Sequence, residues 1–110
     1  MKDRLYLIAA PFDDLGEAWY CQDCATMEGT LLVNPHWLSA IDVKRMAFPR
    51  PRHELIDLLG EAHQSMPVLV MPADGAPDHA VRTGDWAILT DPRQIARELC
   101  IRHGGAGPHP

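Results

Sequence analysis

Apolar residues in this chain fall into short continuous runs and helical stripes, with proline and glycine marking the breaks. The run Leu5-Tyr6-Leu7-Ile8-Ala9, closed by Pro11, has the length and continuity of a buried strand. Residues 11–18, with Asp13, Asp14 and Gly16, read as loop. A helix is predicted over 21–33, weakened by Gly29 and ended before Pro35, since the residue preceding a proline avoids the α region. Ile41 and Val43 begin a period-2 alternation, so a second strand is expected over 41–48, broken by Pro49-Arg50-Pro51. Leu55, Ile56 and Leu59 share one helical stripe, which places a second helix over 53–62. Pro67-Val68-Leu69-Val70-Met71 is a further run of strand length, and residues 72–78 are rich in turn formers.

Two more strands are expected, around 79–81 and 86–89, and then a well-signalled helix over 92–103. Asp91 can cap that helix, Pro92 suits its first position and Gln94 completes a box-like spacing. Ile95, Leu99 and Cys100 make its inner stripe, and Gly104 is a natural stop. The order is therefore β-α-β-α-β-β-α. The first two strands, joined through a helix, should be parallel, and a hairpin should join the next two. Such a chain makes a four- to five-stranded mixed sheet flanked by helices, an α/β fold. Residues 1–103 form one domain on this reading, and 104–110 form a flexible C-terminal tail.

Composition narrows the function classes. Of the 110 residues, 46% are apolar and 23% charged, as in an ordinary globular domain. A net charge of −5 argues against nucleic acid as a partner, and the one basic cluster, Arg50-Pro51-Arg52, is too small to hold a polyanion. No apolar run approaches the roughly 18 residues that cross a bilayer, so a membrane partner is not expected. Met1-Lys2-Asp3-Arg4 leads straight into the first apolar run without the features of a secretory signal, which favours the cytoplasm. Three cysteines are an odd number and too few for a disulfide scaffold.

Two of those cysteines stand in Trp19-Tyr20-Cys21-Gln22-Asp23-Cys24, at the start of the first predicted helix. In a reducing compartment such a pair is more often catalytic or metal-binding than structural. Four ligands complete a zinc site, but there is no second Cys-x-x-Cys and the six histidines are scattered without ligand spacing, so no metal is expected. A redox role needs a thiolate. A sulfur at a helix N-terminus faces unbonded N–H groups and the positive end of the dipole, whereas Asp23 opposes the anion. The residues alone leave a redox pair and two structural thiols both open.

Cys21-x-x-Cys24 opening the first helix, with Ser65-Met66-Pro67 opening the third strand, resembles the thioredoxin-like superfamily across residues 5–103. The chain is similar to a small bacterial thioredoxin-like family. Gln64-Ser65-Met66-Pro67 looks like the segment before the cis-proline of glutaredoxins. Pro67-Val68-Leu69-Val70 and the segment 88–96 resemble the N-terminal domain of glutathione transferases. The chain departs from the usual pattern in carrying Gln22-Asp23 between the cysteines, where proline or glycine is common, and in a longer preceding loop.

The resemblance implies a thiol–disulfide oxidoreductase in which Cys21 attacks and Cys24 resolves. Pro67, in the cis form, and Met66, through its backbone, would orient the substrate. It implies protein or glutathione disulfides as partners and glutathione as a co-substrate, with no bound cofactor. The alternative implied is a non-catalytic module that binds a partner or dimerises, acting as a redox sensor or glutathione-binding adaptor. Monomer and homodimer are both open. Gln64 is either a donor to a glutathione carboxylate or a surface residue, and Asp91 either a ligand or simply the helix cap. Tyr20, with Trp19, either rims the site or joins the core. Arg50 and Arg52 are read most simply as solvated loop arginines, with a carboxylate-binding role as the alternative.

Overall fold

The computed structural model describes residues 2–110, with elements in the order β1 (Arg4–Ile8), β2 (Phe12–Asp14), β3 (Glu17–Trp19), α1 (Gln22–Val33), α2 (Trp37–Ala40), β4 (Asp42–Met46), α3 (His53–Leu59), β5 (Val68–Pro72), β6 (Val81–Thr83), β7 (Trp86–Leu89) and α4 (Pro92–His103). Five strands form one mixed sheet in the order β4-β1-β5-β7-β6, and β2 and β3 form a separate hairpin. The expected parallel pair is present, with β1 running beside β4 from Arg4 opposite Asp42 to Ile8 opposite Met46. The β5, β7 and β6 strands are antiparallel to their neighbours.

The two central strands read as continuous apolar runs because both of their faces are covered. Leu5, Tyr6 and Leu7 of β1 and Leu69 and Met71 of β5 are wholly buried. Side chains alternate across a strand. Tyr6 lines a pocket with Lys44, Glu54 and Leu58, on the α3 side. Leu5 and Leu7 therefore point to the other face, and α1 packs against α4. Met27 and Leu31 of α1 and Ile95 and Leu99 of α4 supply the inner stripes of those helices. Burying each such side chain contributes about 2 kcal/mol of transfer free energy.

Three features differ from the sequence reading. Residues 11–18, expected to be loop, instead carry most of the β2–β3 hairpin (Phe12–Trp19), which turns around Leu15 (φ 52°) and Gly16 (φ 78°). Two positive φ values make a primed two-residue turn, for which Asn-Gly rather than Leu-Gly is the ordinary signal. The four-residue α2 is too short to show a periodicity, yet it carries Trp37, which is fully buried and donates its indole N–H to the Gly104 carbonyl at 2.8 Å. The tail, expected to be flexible, is tied down instead: the Asn34 side chain accepts from the Ala106 N–H (2.8 Å) and donates to its carbonyl (3.0 Å). A Cβ at Gly105 (φ 105°) would run into the Asn34 carboxamide, so this close approach requires glycine. None of the helices among the described residues is long and apolar enough to cross a membrane.

Candidate functional site

The two cysteines are placed by the start of α1, and the helix treats them differently. Cys21 is the N-cap, with extended backbone (φ −74°, ψ 119°), and its sulfur accepts the Cys24 backbone N–H at 3.2 Å. A thiol thus does the work usually done by Ser or Asp, satisfying one of the helix's open donors. Cys21 is half-buried, whereas Cys24, one turn into the helix, is 2% exposed. The Cys24 sulfur lies against the end of β1, where it accepts the Ile8 N–H at 3.3 Å. Burial first, and then the hydrogen bond with Cys21, push the Cys24 thiol up to about 12, outweighing the lowering by Ile8. Negative charge on Cys21 and Asp23 adds to the rise. Near neutral pH, Cys24 is therefore a buried neutral thiol, and any reactive sulfur anion of the pair falls to Cys21.

The strand register brings the proline segment to the same end of the sheet. Arg4 pairs with Val70 and Tyr6 with Val68, so the Met66–Pro67 segment just before β5 lies toward the end of β1 where the Ile8 N–H holds Cys24. The Met66–Pro67 peptide bond is cis, as are Ala10–Pro11 and Arg50–Pro51. Beside this segment, Ser65 and Thr90 help line a pocket of about 130 Å³ with Ala62, His63, Val68 and Ile88. A separate aromatic and cationic stack joins the hairpin to the segment after β4. Phe12 of the hairpin stacks on Phe48 at 4.1 Å between ring centroids, and the Arg52 guanidinium lies 5.7 Å from the Phe48 ring centre.

The residues singled out in the sequence have separate fates. Tyr20 is exposed and, with Trp19, Ala10, Pro11 and Ala18, lines a shallow pocket beside Cys21 rather than joining the core. Met66 and Pro67 are buried at the sheet end. Gln64 is not a surface residue: its oxygen accepts the Arg52 N–H (2.9 Å) and its amide donates to the Glu61 carbonyl (2.9 Å), so both ends of the side chain are spent inside the fold. Asp91 caps α4, accepting the Gln94 N–H at 3.0 Å. Arg50 is exposed, but Arg52 is 7% exposed and corrects the reading of both arginines as solvated. Cys100, expected to be buried, is half-buried and donates to the Gly105 carbonyl at 3.3 Å. Sequence reasoning missed the Phe12–Phe48–Arg52 stack. Its one signal is two aromatics flanking the Pro-rich breaks at Pro11 and Pro49, which is too general to point anywhere.

Among the described residues, no group of three or more His, Cys, Asp or Glu side chains is arranged to hold a metal ion. Residues 2–107 match the family described as "Protein of unknown function (DUF3088)". The chain belongs to DUF3088. No curated protein and no solved structure matches it. What this DUF3088 site can do must therefore come from its own atoms. It has one accessible sulfur capping a helix, a second held neutral beneath it, and a buried guanidinium bonded to the Gln64 carbonyl in the segment before Met66.

Proposed function

We propose that this DUF3088 protein is a thiol–disulfide oxidoreductase of thioredoxin-like topology. The reading rests on one observation, the asymmetry of the pair: the Cys21 sulfur caps α1 and is accessible, while Cys24 is buried with its thiol pushed up to about 12. Such a pair divides the labour of disulfide exchange. Cys21, as thiolate, attacks one sulfur of a substrate disulfide; that S–S bond breaks, and the departing sulfur leaves as a thiolate that takes up a proton. Cys24 then gives up its proton and attacks the Cys21 sulfur, releasing the second substrate thiol and leaving a Cys21–Cys24 disulfide. Glutathione or another thiol returns the pair to the dithiol state.

The order β4-β1-β5-β7, with only β1 and β4 parallel, and the cis Met66–Pro67 bond just before β5 support the thioredoxin-like reading. Gln64 and Asp91 are spent on internal bonds, so substrate contact falls to the Met66 backbone and to the exposed rim of Tyr20 and Trp19. That rim favours protein disulfides over a small ligand. It also carries a second reading, in which exposed Leu15, Trp19 and Tyr20 bind a partner without chemistry.

A reduction assay on a mixed disulfide between glutathione and a small thiol, with glutathione as electron source, separates the two. Wild type turns over, Cys21→Ser is inactive, and Cys24→Ser keeps the monothiol reaction. Undiminished turnover in Cys21→Ser would sink the assignment.

A further inference from the structure

Arg52 carries a positive charge for which the exchange steps give no role. Its Nε (3.1 Å) and Nη2 (2.6 Å) both donate to the Phe48 carbonyl, and its Nη1 donates to the Gln64 carbonyl at 2.8 Å. Each of these acceptors is neutral. Ion pairs among the described residues join Lys44 to Glu54, Arg45 to Glu28, and Arg102 to both Asp3 and Glu98; none reaches Arg52. The contrast with Arg102 is instructive, because that partly buried arginine has two carboxylates. A buried cation is costly unless a counter-charge faces it.

The surroundings of Arg52 leave few candidates. Its carbonyl partner Gln64 is two residues before Met66, in the segment that leads into β5 at the sheet end where Ile8 donates to Cys24. Phe48, its other partner, stacks on Phe12, whose strand leads through Trp19 to Cys21. Of the five guanidinium N–H groups, three are engaged by the two carbonyls, which leaves two without a protein acceptor among the described residues. Burial, and then the adjacent Arg50, push the guanidinium below its ordinary value, and negative charge on Cys24 and Cys21 acts the other way.

We infer that Arg52 is the buried counter-cation of the reduced Cys21–Cys24 pair, a positioning residue that sets the redox poise of the site and does not touch substrate. This rests on the redox reading of the pair. Reduction of the disulfide by two glutathione thiols transfers two electrons and two protons to the pair and joins the glutathiones as a disulfide. Only in the reduced form is a sulfur anion available to Arg52; in the disulfide the cation stands without a partner. Arg52 therefore favours the reduced form, and losing its charge makes the disulfide harder to reduce.

The test is a titration of the full chain in glutathione redox buffers, reading the fraction of Cys21–Cys24 disulfide by alkylation and mass spectrometry. Arg52→Gln removes the charge but keeps amide donors for the two carbonyls, and Arg52→Lys keeps the charge. The Gln variant is expected to shift the equilibrium toward the disulfide by about tenfold, which is about 30 mV for a two-electron couple. The Lys variant should stay near wild type. A Gln variant that titrates like wild type, or a Lys variant that shifts equally, overturns the inference while leaving the dithiol reading intact. A wild type that forms no disulfide overturns both. Should the variants fail to fold, the Arg52 Nε resonance of labelled wild type is expected to move on reduction while that of Arg45 does not. An unmoved Arg52 resonance overturns the inference.

Discussion

Holding Cys24 as a neutral thiol makes the stability of this protein fall at alkaline pH, and replacing Cys24 by alanine isolates the effect. The folded thiol is raised from 9.0 to about 12 by burial and by its bond with Cys21, whereas the unfolded chain exposes an ordinary cysteine. Between those values the unfolded state releases a proton that the native state retains. Stability is thus fully present below the unfolded value and is lost as pH rises toward the folded one. By about pH 10 the loss at this one site comes to about 1.4 kcal/mol, from the ratio of proton binding in the two states. Cys24→Ala is less stable at neutral pH, because the buried Ile8 N–H (3.3 Å from Sγ in wild type) loses its acceptor, at a cost of roughly 1–3 kcal/mol. That cost does not depend on pH. Urea unfolding of reduced wild type and Cys24→Ala, from neutral pH to about pH 10, should show the two midpoints converging by roughly 0.5 M. Tyr6 and Lys44 are present in both proteins and cancel in the difference. A gap that stays constant over this range would refute the burial argument for Cys24.

Other consequences are quicker to check. Iodoacetamide on the folded chain should modify Cys21 ahead of Cys24, which is 2% exposed and reacts only on unfolding; peptide mapping gives the order. Asn34→Ala breaks both links to Ala106 and one to the Thr30 carbonyl, so it should cost about 2 kcal/mol, or roughly 8 °C in Tm by thermal denaturation. The exposed Arg45–Glu28 pair holds the Glu28 carboxyl below its usual range through hydrogen bonding to Arg45, yet solvent screens it. Arg45→Ala should cost less than about 1 kcal/mol in urea unfolding, and the cost should vanish in about 1 M salt.

What the sequence made legible follows from local rules. Asp91-Pro92 with Gln94 placed α4 to the residue, because capping chemistry is read from side chains a few positions apart. The strand runs at 5–9, 67–71 and 86–89 were visible because continuous burial leaves no polar interruptions. The cysteine pair lay where the first strand-to-helix connection put it, at the N-cap of α1. The rest depended on distant partners. Leu15 adopts a positive φ only because pairing of Phe12 with Trp19 fixes the hairpin around it. Arg52 and Gln64 look solvated in sequence because charged and amide side chains usually are. In the fold they bond each other, and Arg52 also donates to the Phe48 carbonyl. Gly105, one of several glycines in an apparently loose tail, is held against Asn34 by a contact 71 residues away in sequence, a separation no local window spans (105 minus 34).

The central claim is that Cys21 and Cys24 exchange electrons as a pair. Incubating wild type with oxidised glutathione, quenching in acid and mapping the peptides by mass spectrometry tests it directly. The account predicts an intramolecular Cys21–Cys24 disulfide that reduced glutathione reverses, with Cys100 left as a free thiol. Two unmodified cysteines at positions 21 and 24, or a glutathione adduct confined to Cys100, would contradict it.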